Sequence, residues 1–201
     1  EALQQRSPDL VVFTGDHIEN GNEEKLDAFA ERMRTVGLPL VVLPGEPERM
    51  EGTQGAFRSR FGPHVLHWRM GGVDFLSFDS SGRQLREESP EDLEKRLEEV
   101  DPSTLTVVTT HTPPLDPNGL RDQGFRSRLE GTRVLGILRD AGVDLLVAGH
   151  LASRDREKLG EGSDAMDMVV VSAHQQLGYT RIDVPVGGNS AAAAVTRIDV
   201  R

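Results

Sequence analysis

Cysteine is absent from this chain, so neither a disulfide framework nor a thiolate zinc site is available, and thiols say nothing about its redox compartment. Long apolar runs are missing too. None approaches the roughly 20 residues that would span a bilayer. The first residues, Glu-Ala-Leu-Gln-Gln-Arg, lack an initiator Met and the charged-then-apolar layout of a secretion signal. The expectation is a soluble chain, cytoplasmic by default or secreted after removal of a leader, that begins at a processed or trimmed end. Basic residues are in the minority, 23 Lys plus Arg against 33 Asp plus Glu, for a formal charge of -10. Such a surface repels a phosphate backbone wherever no metal or basic cleft intervenes, which disfavours nucleic acid as a general partner. What the chain does have is 36% hydrophobic content over 201 residues. That is enough for one sizeable core and thin for two, so residues 1–201 are expected to form a single domain.

The apolar residues are arranged in recognisable periods. Asp9-Leu-Val-Val-Phe-Thr14 is a short β-branched run closed by Gly15-Asp16, the pattern of a buried parallel strand. Leu26, Phe29, Ala30, Met33 and Val36 then recur at three and four residues between Asn22 and Gly37, with Glu23 and Glu24 in the first turn of the implied helix. Leu40-Val-Val-Leu43 repeats the strand pattern and ends at Pro44-Gly45. Strand, helix and strand in this order predict a right-handed crossover and a parallel pair.

Val65 to Trp68 and Val73 to Phe78 flank Gly71-Gly72 as an antiparallel hairpin, and Pro90 to Val100 carries Leu93, Leu97 and Val100 on one helical stripe. A second crossover unit follows, with strand Leu105–Thr110, helix Thr132–Ala141 and strand Val143–Val147. The tail, Met168–Ser172, Tyr179–Val184 and Val195–Val200, reads as antiparallel sheet. Its repeated Thr-Arg-Ile-Asp-Val, at Thr180–Val184 and Thr196–Val200, predicts two copies pairing across Gly187–Ser190.

Three strands end in a residue of metal-binding type: Asp16, His111 and His150. Ligand sites in parallel α/β sheets collect beyond the carboxyl ends of the strands, so these three can converge on one point.

At this stage the sequence resembles a known family. Pro8-Asp-Leu-Val-Val-Phe-Thr-Gly-Asp16, Leu38-Pro-Leu-Val-Val-Leu-Pro-Gly45, Thr110-His-Thr-Pro-Pro-Leu-Asp-Pro117 and Val143-Asp-Leu-Leu-Val-Ala-Gly-His150 are similar, in order, to the blocks of calcineurin-like metallophosphoesterases. The resemblance implies a four-layer αββα sandwich of two mixed β-sheets flanked by helices. It implies phosphoester hydrolysis at two metal ions, which polarise a phosphoryl oxygen and supply a hydroxide nucleophile. It assigns Asp16 as the bridging carboxylate, and His111 and His150 as ligands of the second metal.

The departures are as informative. The family's Asp-x-His block would lie on a strand before Asp9, outside the sequence as given. Its Gly-Asn-His-Asp/Glu block reads Gly45-Glu-Pro-Glu48, with Glu46 at the Asn ligand and Pro47 at the His that assists the leaving group. Its Gly-His-x-His block reads Gly149-His-Leu-Ala152, with Ala152 replacing a ligand. The implied shell is Asp16, Glu46, His111 and His150 around one divalent Mn, Zn or Fe, with Asp16 and His111 also in the catalytic machinery. The alternative is that these residues are hydrogen-bonded remnants and no metal binds.

Other polar residues read more blandly. His17 sits next to Asp16 and on an extended chain points to the opposite face. His64 and His67 fall on a surface hairpin with structural roles. His174 follows a strand and is placed either in the cleft or outside it. Arg154 and Arg156 either stand in for a lost cation beside Asp16 or belong to a solvated loop, Ser153–Glu157, and Gly160-Glu-Gly162 lacks phosphate-loop spacing.

Two functions remain open on the sequence. One is a metal-dependent phosphoesterase with an impaired metal site, acting on a phosphoester small molecule. The other is a catalytically inactive relative that binds a protein partner as a subunit of a larger assembly. No glycine-rich phosphate loop supports a nucleotide-binding switch.

Overall fold

The computed structural model describes residues 5–50, 53–117, 119, 123–151, 155–161, 165–171, 178–184 and 194–199. It begins with β1 (Val11–Phe13), helix α1 (Glu23–Arg34) and β2 (Leu40–Val42). β1 and β2 pair in parallel with Val11 opposite Leu40, the crossover predicted from the apolar spacing. α1 starts where the Asn22 side chain accepts the Lys25 N–H at 3.0 Å, satisfying one of the helix's orphan donors, and buries Leu26 and Ala30.

A 3₁₀ turn, Pro47–Arg49, leads to α2 (Gln54–Phe61), which has no counterpart among the predicted elements. Its eight residues show too few turns to declare a period, and it is held by packing of Phe61 against Phe29 and of Phe57 against Phe61.

The hairpin of β3 (Leu66–Met70) and β4 (Val73–Ser77) turns on Gly71 and Gly72, at φ of +60° and +80°. Positive φ at both central residues is what a tight turn matched to strand twist requires. Then follow α3 (Pro90–Glu98), β5 (Leu105–Thr110), α4 (Arg128–Asp140), β6 (Leu145–Ala148), β7 (Asp155–Leu159), β8 (Met166–Val170), β9 (Gly178–Asp183) and β10 (Ala194–Asp199).

Six strands form one mixed sheet in the order β3-β4-β5-β6-β8-β7, with β4, β5, β6 and β8 parallel and the two edges antiparallel. The two-residue period of the strands divides its faces. Leu76, Val108, Leu146 and Met168 pack with Leu93 and Leu97 of α3 and Leu135 and Leu138 of α4. Val73, Val107, Leu145, Val147 and Val169 form the opposite face, against Ile182 of β9 and Val184 just after it. Each such side chain, once buried, stabilises the fold by about 1.5–3 kcal/mol.

The second sheet layer consists of two ladders, β1-β2 and the antiparallel β9-β10. In the latter, Arg181 of the first Thr-Arg-Ile-Asp-Val copy faces Thr196 of the second, as predicted. α1 and α2 cover β1-β2 through Ile18, Leu26 and Phe57. The fold is thus an α/β sandwich with helices on both outer sides.

Two readings need correction. Of Ser153–Glu157, read in one alternative as a solvated loop, Asp155–Glu157 belong to edge strand β7 (Asp155–Leu159), paired antiparallel with β8. Its polar composition fits an edge with one free side, a device that blunts aggregation. His64 is not on an exposed hairpin: it is 1% exposed, before β3 begins. The turn Gly187–Ser190, together with Ala152, Arg154, Gly162 and His174, lies outside the described residues.

Candidate metal centre

Because β5 and β6 run parallel to each other and β1 ends beside them, their carboxyl ends meet at one rim. Asp16 follows β1, His111 follows β5 and His150 follows β6, and one ligand atom from each lies within 4.8 Å of the others. The two imidazoles meet edge to face with ring centres 5.1 Å apart. His111 is 1% exposed, whereas the Asp16 side chain is 44% exposed, so the trio forms the floor of an open site rather than a sealed core.

The backbone is bent to achieve this. Asp16 and His150 have φ of +57° and +63°, the left-handed region that costs a residue with a Cβ of order 1 kcal/mol or more. Glycine makes room on either side. Gly15, at φ +106°, lies where a Cβ would strike His111 Nδ1, and a Cβ on Gly45 would strike the Asp16 carboxylate.

The Asp16 loop is held by Glu48, which is 0% exposed. Its carboxylate accepts the backbone N–H groups of Asp16 (3.0 Å), His17 (2.8 Å), Ile18 (2.9 Å) and Gly45 (2.7 Å). Four donors satisfy a buried charge that would otherwise be costly to desolvate. Sequence reasoning assigned Glu48 no role, although it occupies the acidic position that closes the family's third block.

The imidazole hydrogen bonds decide what the site can bind. His111 Nδ1 lies 2.6 Å from the Thr14 carbonyl, which can only accept, so Nδ1 carries a proton, and in the neutral ring Nε2 is the nitrogen left to ligate. That Nε2 is 3.5 Å from Asp16 Oδ1, and it has no hydrogen-bond partner among the described residues. His150 Nδ1 is a second buried nitrogen in the same state. Burial, and after it the neighbouring His111, push the His150 pKa down, against the opposing pull of Glu46 and Asp16, and so favour the neutral, ligating form.

Two imidazoles with orphaned nitrogens converging with a carboxylate fit a borderline divalent cation, and metal-binding histidines usually fix their second nitrogen on a carbonyl, as His111 does. Glu46 stands at the margin. Its backbone N–H donates to Asp16 Oδ1 at 3.2 Å, and it is not among the three residues whose ligand atoms converge.

The remaining histidines have other partners. His17 Nε2 donates to the Leu43 carbonyl at 2.9 Å, and its ring stacks on Phe29 with centres 4.6 Å apart. Burial pushes its pKa down. His67 lies 3.1 Å from Asp74 Oδ1 on the hairpin. Arg156, considered as a cation beside Asp16, instead donates to Asp167 at 2.7 Å. His64 joins Asp79 and Glu87 in a second convergent group away from Asp16. No sequence pattern announces that group, because His64 precedes β3 whereas Asp79 and Glu87 lie on the segment between β4 and α3.

Known proteins share this fold. The chain is 29% identical over 134 residues to a probable cyclic nucleotide phosphodiesterase of Synechococcus sp., covering 60% of this chain and 51% of that protein. It thus spans about half the length of this curated relative. Among solved structures, a purple acid phosphatase from yellow lupin seeds superposes with a TM-score of 0.67 at 16% identity, covering 84% of this chain and 38% of that one. A dimetal phosphatase from Danio rerio does so with a TM-score of 0.65 at 13% identity, covering 85% and 74%. Residues 1–154 match the calcineurin-like phosphoesterase family along most of the chain, and the protein therefore belongs to that family.

Proposed function

We propose that this chain is a phosphoester hydrolase domain working with a reduced, one-ion metal site. The observation that carries the reading is the convergence of Asp16, His111 and His150, whose two imidazoles each keep a buried nitrogen with no hydrogen-bond partner among the described residues. Asp16, His111 and His150 would hold the ion, with the Glu46 carboxylate a candidate fourth ligand. Mn, Zn or Fe suits these donors better than Mg does. When bound, a divalent ion in such a site lowers the pKa of water and polarises a phosphoryl oxygen.

The chain's own contribution is geometric. Thr14 fixes the His111 tautomer, Glu48 fixes the Asp16 loop, and the exposed side of Asp16 leaves room for a substrate. The Synechococcus relative's name makes phosphodiesters the first substrates to try. Packing of Ile182 and Val184 on the main sheet supports reading residues 1–201 as one domain.

One observation favours a second reading, an inactive subunit that binds a protein partner. Pro47 occupies the position of the family's proton-donating His, and a missing acid costs on the order of 10²–10⁴ in rate. Elemental analysis combined with hydrolysis of bis(p-nitrophenyl) phosphate in added Mn²⁺ separates the two. Stoichiometric metal with slow turnover, abolished by Asp16→Asn, supports the hydrolase. Absence of both leaves the binding subunit. Among the described residues no helix is long and apolar enough to cross a membrane.

A further inference from the structure

The second convergent group lies just past β4 and surrounds Asp79. His64 Nε2 is 3.2 Å from both Asp79 Oδ2 and Glu87 Oε2. Arg49 spans the same carboxylates, at 3.4 Å from Asp79 Oδ2 and 2.9 Å from Glu87 Oε1, and its side chain is only 7% exposed. Ser81 donates to the other Asp79 oxygen from its N–H (2.8 Å) and its hydroxyl (2.5 Å). A guanidinium already supplies the countercharge that a cation would bring, so these residues read as a strap rather than a metal site.

Arg49 belongs to the 3₁₀ turn and directly follows Glu48, the residue that grips the backbone of Asp16, His17 and Ile18. One residue after Asp79, Ser80 reaches the other ligand segment. Its hydroxyl accepts the Thr112 N–H at 2.7 Å and lies 2.6 Å from Thr110 Oγ1. Thr110 and Thr112 bracket His111, and all of these side chains are 0–1% exposed. Two adjacent residues therefore connect to both halves of the candidate site without entering it, Ser80 directly and Asp79 by way of Arg49 and the Glu48 turn.

We infer that Asp79 and Ser80 are positioning residues that set the Asp16–His111 spacing, Asp79 through Arg49 and the Glu48 turn, Ser80 through the residues on either side of His111. The mechanical part stands on the contacts alone, and the effect on metal affinity rests on the proposed function.

The test uses Asp79→Asn, Arg49→Ala and Ser80→Ala, with Asp74→Asn at the opposite end of β4 as a control for general destabilisation. Hydrogen exchange should accelerate about 10-fold at the Asp16, His17 and Ile18 amides in the first two variants, and at the Thr112 amide in the third. Co²⁺ titration followed by its visible spectrum should show affinity weakened about 10–100-fold in all three, the usual effect of removing support behind a metal ligand. Asp74→Asn should lower Tm and change neither readout. Should Asp79→Asn fail to fold, Ser80→Ala carries the same test from the other side.

Unchanged exchange at these amides overturns the inference, as does an equal change in Asp74→Asn. A second equivalent of Co²⁺ in the wild type that His64→Ala removes also overturns it, since Asp79 would then be a ligand. If the wild type binds no Co²⁺, the proposed function fails while the exchange experiment still decides the inference.

Discussion

Asp74, near the start of β4, and Asp16, beyond the end of β1, are carboxylates at opposite ends of the sandwich. Asp74 is 1% exposed and saturated with donors: Arg69 at 3.2 and 2.6 Å, His67 at 3.1 Å and Thr104 at 2.5 Å. Burial pushes its pKa up, but the hydrogen bonds from Arg69, Thr104 and His67 outweigh it and hold the group at about 2. Among the described residues the Asp16 side chain accepts one N–H, from Glu46 at 3.2 Å, and Asp16 sits in left-handed backbone beside imidazoles that each keep an unpartnered nitrogen. Polar groups at the first end have spent their capacity on stability. At the second end that capacity is held back under strain, which is how folds keep a binding site.

The sharpest way to break this contrast is to neutralise each carboxylate in turn. Asp16→Asn removes the one carboxylate of the proposed metal-binding trio, so metal affinity should fall by more than the roughly 10–100-fold seen when only a supporting residue is lost, and turnover should go to background. Tm should hold or rise, because relieving a strained polar site commonly stabilises. Thermal unfolding with metal titration checks both. Gly45→Ala should act next most strongly, since its Cβ would strike the Asp16 carboxylate and backbone. Overpacking of that kind costs about 1–3 kcal/mol, and here it should also weaken metal binding.

Asp74→Asn should behave in the opposite way. A carboxyl lowered from 3.8 to about 2, with its side chain 2% exposed, contributes about 2 kcal/mol near neutral pH. Its loss should lower Tm by about 4–8 °C and leave metal affinity untouched. The sign follows from the depressed pKa. The contribution is fully present above pH about 4 and disappears as pH falls toward about 2, so the variant and the wild type should converge in acid. Denaturant titrations across that range measure the convergence, and a constant gap between the two proteins would refute the assignment.

How much of this was legible follows the same division. Parallel crossovers were readable because β1, α1 and β2 carry distinct periods, and the hairpin because Gly71-Gly72 names its own turn. The trio was readable because each member directly follows a strand. Glu48 and Asp79 were not, since each works through backbone amides or loop partners far away in sequence, 30 to 32 residues apart in the case of Glu48 and the Asp16 loop. α2 was missed because its packing, not its pattern, holds it, and β7 because a polar edge strand looks like a loop. His64 was misplaced for a related reason. Only the assembled fold brings a carboxylate from past β4 to its ring, which the sequence around it does not foretell.

A third carboxylate gives the lower end of the scale. Asp167 on β8 accepts from Arg156 on β7 at 2.7 Å, with the two side chains 27% and 48% exposed. Water competes for both partners and salt screens them, so the pair should contribute less than about 1 kcal/mol. Arg156→Ala should therefore shift Tm only slightly, and less still in 1 M salt. It should also leave Co²⁺ affinity at the Asp16 site unchanged, because the guanidinium is committed to β8. A tenfold change in that affinity would instead mean that Arg156 reaches the rim and acts as the cation Asp16 lacks, and the contrast between a saturated and an open end would then have to be redrawn.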